Sequence, residues 1–362
     1  MRRRDFITLV GGAAAWPLAA RAQQSALPVV GFLHDGSAEP RAHLAAAFRA
    51  GLAEAGFVDR RNVMIEYRWA DDQYDRLPDL VADLIQRRAA VIVTPGSAAA
   101  AIAAKAATST IPIVFSVGSD PVKLGLVDSL NRPGGNVTGV NYFTQELGPK
   151  WLGLLRELMP GGADVFVLTN PKAPVTESAV SDMQAAAFAV GQQLSVLYAT
   201  NNQEILAAFP AMTQTRATAL VIVTDPLFTS RRVQLVLLAM RYAVPAIYTS
   251  REFAEAGGLM SYGTDLPNVY RQVGNYAARI LEGTRPADLP VIQPTKFELV
   301  INLAAAKVLG LEVPTTLLAR ADEVIERVKA PGKAGAISRC KILCRRSGRG
   351  GTSAVPKPPP AA

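Results

Sequence analysis

From Pro28 onward the chain alternates short, unbroken runs of β-branched residues with Ala- and Leu-rich stretches in which apolar positions recur every three or four residues. Unbroken β-branched runs suit strands buried on both faces, and the stretches between them suit helices that cover those faces. Their alternation is the pattern of a parallel sheet wrapped by helices. The pattern predicts strands at Val29–Leu33, Val63–Tyr67, Val91–Thr94 and Ile113–Ser116, then at Val165–Leu168, Ser195–Tyr198, Leu220–Thr224 and Ala246–Thr249. Helices are expected over Arg41–Ala55, Leu77–Arg88 and Ala98–Ala107 in the first half.

The second series resembles the first. AAVIVTPGSAAAAIAAKAATSTIPIVFSVGS, from Ala89, lines up with TALVIVTDPLFTSRRVQLVLLAMRYAVPAIYTSR, from Thr218, so that Val91–Thr94 fall on Val221–Thr224. Each copy holds a Val-Ile-Val-Thr strand, a helix, a Pro-led strand and a small polar loop. Matching order and spacing argue for two similar lobes rather than one continuous sheet. Beyond the repeat, an additional helix and another apolar strand fit a chain that passes back and forth between lobes, at Asn136–Tyr142, Leu259–Gly263 and Phe297–Ile301. The expected division is 23–140 plus 264–296 for lobe 1 and 141–263 plus 297–328 for lobe 2. Three strands at one interface make a hinge, and hinge closure can trap a ligand.

In open parallel sheets ligands sit beyond the carboxyl ends of the strands. The loops there are small and polar: His34-Asp35-Gly36-Ser37, Thr94-Pro95-Gly96-Ser97, Ser116-Val117-Gly118-Ser119-Asp120, Asn170-Pro171, Thr224-Asp225-Pro226 and Tyr248-Thr249-Ser250. Gly96 allows close backbone approach, and Ser97 opens a strongly helical run whose first N–H groups suit a carboxylate, although helix capping alone also explains a Ser there. Asp120 and Asp225 each precede a helix-initiating Pro, as a cap or as partners for an amino group. Trp69, Phe143 and Tyr262 lie near strand ends or crossings, where they could stack on a flat ligand or fill core.

The N-terminus, MRRRDFITLVGGAAAWPLAARAQQ, changes the picture of where this happens. Its apolar run is broken by Gly11, Gly12 and Pro17 and is too short for the ~20 residues of a membrane span. A basic start, an apolar middle and Ala20-Arg21-Ala22 match a secretory signal over residues 1–22, cleaved after Ala22, and Arg3-Arg4-Asp5-Phe6-Ile7 fits the twin-arginine type. No Cys follows to carry a lipid, so a soluble periplasmic protein is expected, and a monomer. The formal net charge of +8 is carried by the end of the chain: from Lys329 to Ala362 there are eight Lys or Arg and no Asp or Glu. With the N-terminal arginines also set aside, the body is mildly acidic, which argues against nucleic-acid binding. The basic tail, rich in Gly, Pro and Ser, is expected to be disordered. It holds Cys340 and Cys344, the only cysteines, too few ligands for a structural zinc site.

Catalytic groupings are hard to assemble. His34 and His43 are the only histidines, and there is no nucleophile elbow, phosphate loop or HExxH. No cofactor, metal or catalytic residue is expected. A periplasmic enzyme using a carboxylate pair in the cleft, and a sensor subunit for a receptor kinase, are the alternatives to a binding protein.

PVVGFLHDGS, NRPGGNVTGVNYF, GGLMSYGTD and FELVINLAAAKVLGLEVPTTLLARADEVIE, with the N-terminal RRRDFITLVGGAAAWPLAARAQQ, resemble the substrate-binding proteins of ABC transporters in the type I periplasmic class. They resemble more narrowly a branch related to tryptophan- and phenylalanine-binding members. The resemblance spans residues 1–328. It implies two doubly wound parallel-sheet lobes on a three-strand hinge that close on a small molecule, here an amino acid or similar small carboxylate, and deliver it to a permease with its ATPase. By position it implies ligand contacts from Ser37, Gly96, Ser97, Asp120 and Asn141 on one side, with Asp225, Glu252 and Tyr262 across the cleft.

Overall fold

The computed structural model describes residues 27–143, 147–212 and 218–326. The expected signal peptide and the basic tail with Cys340 and Cys344 lie outside the described residues.

The first sheet holds β1 (Val29–His34), β2 (Met64–Trp69), β3 (Val91–Pro95), β4 (Ile113–Val117) and β5 (Val137–Asn141), all parallel, in the order β2-β1-β3-β4-β5. β3 and β4 are buried along their whole length, as their apolar runs require of central parallel strands, and so is β5 at the edge. Helices α1 (Ala42–Glu54), α2 (Leu77–Gln86) and α3 (Ala98–Ala107) connect them.

The second sheet contains β6 (Asp164–Thr169), β7 (Leu194–Tyr198), β8 (Thr218–Ile222), β9 (Ala246–Tyr248), β10 (Met260–Thr264), β11 (Phe297–Asn302) and β12 (Glu323–Ile325), in the order β7-β6-β8-β9-β10-β11-β12. Its first five strands follow the same path as β2-β1-β3-β4-β5. The repeated Val-Ile-Val-Thr motif thus lies on β3 and at the end of β8, equivalent places in two copies of one topology. β11 then runs antiparallel to β10 and closes the second sheet with β12. Its helices are α4 (Gly148–Leu158), α5 (Thr176–Ala189), α6 (Asn202–Met212), α7 (Pro226–Ser230), α8 (Arg232–Arg241), α9 (Arg251–Glu255), α11 (Leu303–Val308) and α12 (Thr315–Arg320).

One helix, α10 (Leu266–Leu281), follows β10 of the second sheet yet packs into the first core, where Val269, Tyr270, Val273 and Ala277 join Phe48 and Leu52 of α1. Each large apolar side chain buried there contributes about 1.5–3 kcal/mol. Two glycines set how close the helices come: a Cβ on Gly51 would lie 2.0 Å from the Arg271 carbonyl oxygen, and one on Gly274 2.3 Å from that of Phe48.

The chain passes between the lobes after β5, after β10 and before β11, at an end of each of the three strands expected at the hinge. These passages are tied together. The Asn141 amide donates to the Ile292 carbonyl (2.8 Å), the Ile292 amide to that of Gly139 (2.9 Å), and the Thr264 hydroxyl to that of Tyr142 (3.0 Å).

Candidate functional site: an inter-lobe cleft

The carboxyl ends of β1, β3 and β4 face those of β6, β8 and β9 across a cleft enclosing about 130 Å³. The sheet rule places the ligand here, and most of the loops singled out by sequence contribute: His34 and Asp35, Gly96, Gly118 and Ser119 from one lobe, Thr224, Asp225, Thr249 and Ser250 from the other.

On the first lobe the side chains after β1 are charged and buried. His34, Asp35 and Arg41 are each under 5% exposed. Nδ1 of His34 accepts a hydrogen bond from the Gly36 amide (2.8 Å) and lies 3.0 Å from Oδ1 of Asp35. Burial, reinforced by the charge of Arg41, holds the imidazole below its ordinary pKa, in the neutral form. With Nδ1 an acceptor, the ring proton is on Nε2. For Asp35, burial disfavours the charge, but the His34 ring when it carries a proton, the Ser97 hydroxyl and Arg41 outweigh it and keep the carboxyl below its usual range.

Arg41 ends a short 3₁₀ turn, Glu39–Arg41, just before α1, and its guanidinium lies against Gly36, where a Cβ would come within 2.2 Å of Nη1. Any larger residue at 36 would push Arg41 out. Among the described residues no carboxylate forms an ion pair with Arg41. Nη1 of Arg41 and Oδ1 of Asp35 are both buried without a hydrogen-bond partner. A donor and an acceptor of opposite charge left unmatched inside a cleft are costly in water's absence, and a ligand carrying both complements can satisfy them.

The second lobe presents carboxylates that already have partners. Asp225 caps α7 through Oδ1, which accepts from the Leu227 amide (2.9 Å), while Oδ2 accepts from the Tyr74 hydroxyl of the opposite lobe (3.1 Å). Burial and the nearby charge of Asp35, against hydrogen bonds from Asn170, Leu227 and Tyr74, push its carboxyl up to about 6. Glu252 accepts from the Ser250 hydroxyl and pairs with His43 of the first lobe (3.1 Å). Burial works against its charge, but these partners hold it below the usual value. Trp151, Met183, Ala179 and Pro174 add an apolar wall; the Trp151 indole N–H is spent on the Tyr262 carbonyl (2.8 Å).

A third contact crosses the lip: the Ser230 hydroxyl donates to Oδ2 of Asp72 (3.1 Å). Asp71 and Asp72 both have left-handed backbone, φ 54° and 64°, which non-Gly residues adopt at some cost. Amides of this turn are held on the β1 loop, that of Asp72 donating to the Asp35 carbonyl (2.8 Å). Through Asp72 this turn reaches the second lobe beside the cleft.

Of the residues expected to contact ligand, Gly96, Asp225 and Glu252 line the cleft. Gly96 adopts φ +76° with the Tyr270 hydroxyl 2.6 Å from where a Cβ would be, so both its backbone and its surroundings demand glycine. Its amide is bonded to Ser116, and it is Ala98 and Ala99, at the first turn of α3, that border the cleft with helix-end N–H groups lacking an intrahelical acceptor. Ser97 is the cap of α3, accepting from the Ala100 amide (3.0 Å). Asn141 is buried at the hinge, where it accepts from the Phe143 amide (3.2 Å) while Nδ2 is left without a partner. Asp120 caps its own turn through the Val122 amide (2.8 Å), Tyr262 stacks on Phe297, and Ser37 stands outside the lining. Trp69 packs on Phe32 and His34. Arg41, Tyr74 and Trp151 were not singled out in the sequence. Arg41 had one signal, a position just beyond the first strand's carboxyl end. Among the described residues no cluster of His, Cys, Asp and Glu could hold a metal ion, and no helix is long and apolar enough to cross a membrane.

The chain is 25% identical over 265 residues to the tyrosine-binding protein of Clostridioides difficile strain R20291, covering 73% of this chain and 76% of that one. The structure of a domain from Streptococcus pneumoniae in complex with L-Trp superimposes with a TM-score of 0.76 at 24% identity, covering 83% of this chain and 100% of that chain. The 5-methylthioribose transporter solute binding protein of Thermotoga lettingae shares the fold, with a TM-score of 0.57 at 16% identity over 81% of this chain and 98% of that one. The architecture is that of the type I periplasmic binding proteins. Residues 34–325, from the first buried histidine of the cleft to the last strand, match the family model of the ABC transporter substrate binding protein, and the chain belongs to that family.

Proposed function

We propose that this substrate-binding subunit captures an α-amino acid with an apolar or aromatic side chain and hands it to its transporter's permease. The observation that carries this reading is the pair of unmatched buried charges. A zwitterionic head group places its carboxylate on Arg41, with the first turn of α3 behind it, and its ammonium against Asp35 and Asp225. Arg is suited to the task because its planar fork bonds both oxygens of a carboxylate. The apolar wall of Trp151, Met183 and Ala179 then receives the side chain, contributing about 25 cal/mol for each Å² removed from water. What the relatives bind, tyrosine in one and L-Trp in the other, has both halves of this chemistry.

The three contacts across the lip, Tyr74 to Asp225, His43 to Glu252 and Ser230 to Asp72, add to closure over the ligand. Export by the N-terminal signal, with cleavage after Ala22, and action as a monomer in the periplasm complete the reading; the mass of the secreted chain and its sedimentation test them.

The direct test is a thermal-shift screen of the purified chain against the common amino acids, small carboxylates and amides. A ligand at 100 times its dissociation constant stabilises the fold by about 2.7 kcal/mol, several degrees for a domain of this size. A shift from L-tryptophan, L-tyrosine or L-phenylalanine, with the ligand recovered unchanged, is expected. A shift only from ligands lacking an ammonium would overturn the assignment of the head group, and conversion of the ligand would make the protein an enzyme.

A further inference from the structure

The unpartnered Oδ1 of Asp35 has two candidate cationic partners, and their like charges set them against each other. One is the ligand ammonium of the proposed function, on which this inference rests. The other is His34 itself, whose Nδ1 lies 3.0 Å from that oxygen. In the neutral ring Nδ1 accepts from the Gly36 amide at 2.8 Å, so two acceptors face each other and Asp35 is left open to the cleft. Adding a proton to the ring places it on Nδ1. The Gly36 bond is then lost, the imidazolium 3.0 Å from Oδ1 takes up the carboxylate's charge, and a second cation stands beside Arg41.

We propose that a proton on His34 and the ammonium of the bound amino acid compete for the same oxygen, Asp35 Oδ1, so that capture is proton-linked and weakens as the pH falls. The groups around this pair set the direction. From the first lobe they are Arg41, which opposes a charged imidazole, and Asp72, Tyr74, Tyr142 and Tyr270; from the second lobe they are Asp225 and Glu252, with His43 at the lip. The tyrosines are neutral throughout, since burial raises each of them. Asp225, raised to about 6, acts in the same sense, because its protonated form offers the ammonium no charge. The sign is therefore fixed. Free protein binds more protons than the complex at acid pH, and affinity falls as pH drops, by up to about tenfold per pH unit for each proton displaced.

His34 can be observed directly, because the chain has only two histidines and His43 is half exposed. Long-range ¹H–¹⁵N spectra of histidine-labelled full-length protein at pH 8 should show His34 as the Nε2–H tautomer. Isothermal titrations with L-tryptophan, L-tyrosine and L-phenylalanine, each in two buffers of different ionisation enthalpy, should show proton release on binding near pH 6 and none at pH 8. His34→Asn, whose Oδ1 can still accept from the Gly36 amide but takes up no proton, should bind at pH 8 and lose less affinity on acidification than the parent. Binding at pH 8 with no proton release at pH 6, or an Nδ1–H tautomer in the free protein, would overturn the competition while leaving the amino-acid assignment standing. Absence of binding by all three at pH 8 would instead remove that assignment, and this inference with it.

Discussion

The two walls of the cleft descend from the same topology and have opposite states of polar satisfaction. On the first lobe Arg41 and Asp35 are buried with hydrogen-bonding capacity unused. On the second, Asp225 and Glu252 are bonded to a helix amide and a serine, and Trp151 and Met183 form an apolar wall beside threonines and Arg232. Equivalent strand ends therefore do different work. On the proposed reading the first lobe grips a charged head, and the second covers a side chain and locks the lip. Burying unmatched charge is tolerated only where function requires it, and lost stability is the usual accompaniment.

That contrast can be broken most sharply at Arg41. Arg41→Met should weaken amino-acid binding by about 3 kcal/mol, roughly 100-fold or more in Kd by titration calorimetry, with the melting temperature of the free protein unchanged or raised. Gly36→Ala should act in the same direction by displacing the guanidinium. Next comes the ligand itself: replacing an aromatic amino acid with L-alanine should cost about 2–3 kcal/mol, because it forfeits the second lobe's apolar wall and keeps the head group.

Asp225→Asn sharpens the comparison by pulling stability and affinity apart. The amide oxygen can still accept from Leu227, so the cap survives, while the amide nitrogen meets the Tyr74 hydroxyl only as a donor. A carboxyl raised by folding from 3.8 to about 6 contributes stability that is complete below 3.8 and lost as the pH rises through 6. The variant should thus melt higher than the parent at pH 8, by an amount on the order of 1–3 kcal/mol, with little difference at pH 4. It should also bind amino acids about tenfold more weakly at pH 8. Smallest is Ser230→Ala at the lip, which removes one partly exposed hydrogen bond. It should raise the dissociation rate by a few-fold, about 0.5–1 kcal/mol, without altering which amino acids bind.

Much of this architecture was legible in the sequence because buried parallel strands have a narrow composition. Val91–Thr94 and Ala98–Ala107 stood out at once, and the copy at Val221–Thr224 exposed the second lobe. Loop placement followed from the sheet rule. The helix that leaves the second sheet and completes the first core was visible only as an extra element, since its partner α1 lies more than 200 residues away. Arg41 was hidden for a different reason. A charged residue at the start of a helix ordinarily points to water, and nothing local reveals that Gly36 has made room for it inside. The contact at Asp72 was hidden in the same way, since nothing local reveals that the fold brings Ser230 against it.

The return of α10 to the first lobe bears on how the protein is made. A nascent chain has all five strands of its first sheet once Asn141 has been synthesised, yet Val269, Tyr270, Val273 and Ala277, which complete that core, come more than 120 residues later. The second sheet waits still longer, for β11 and β12. The first core can therefore close only after α10 is made and the second only after β12, both within the last quarter of the described residues. A truncation between β10 and the end of α10 should leave two incomplete cores rather than one intact lobe, which makes that helix the checkpoint for the whole fold.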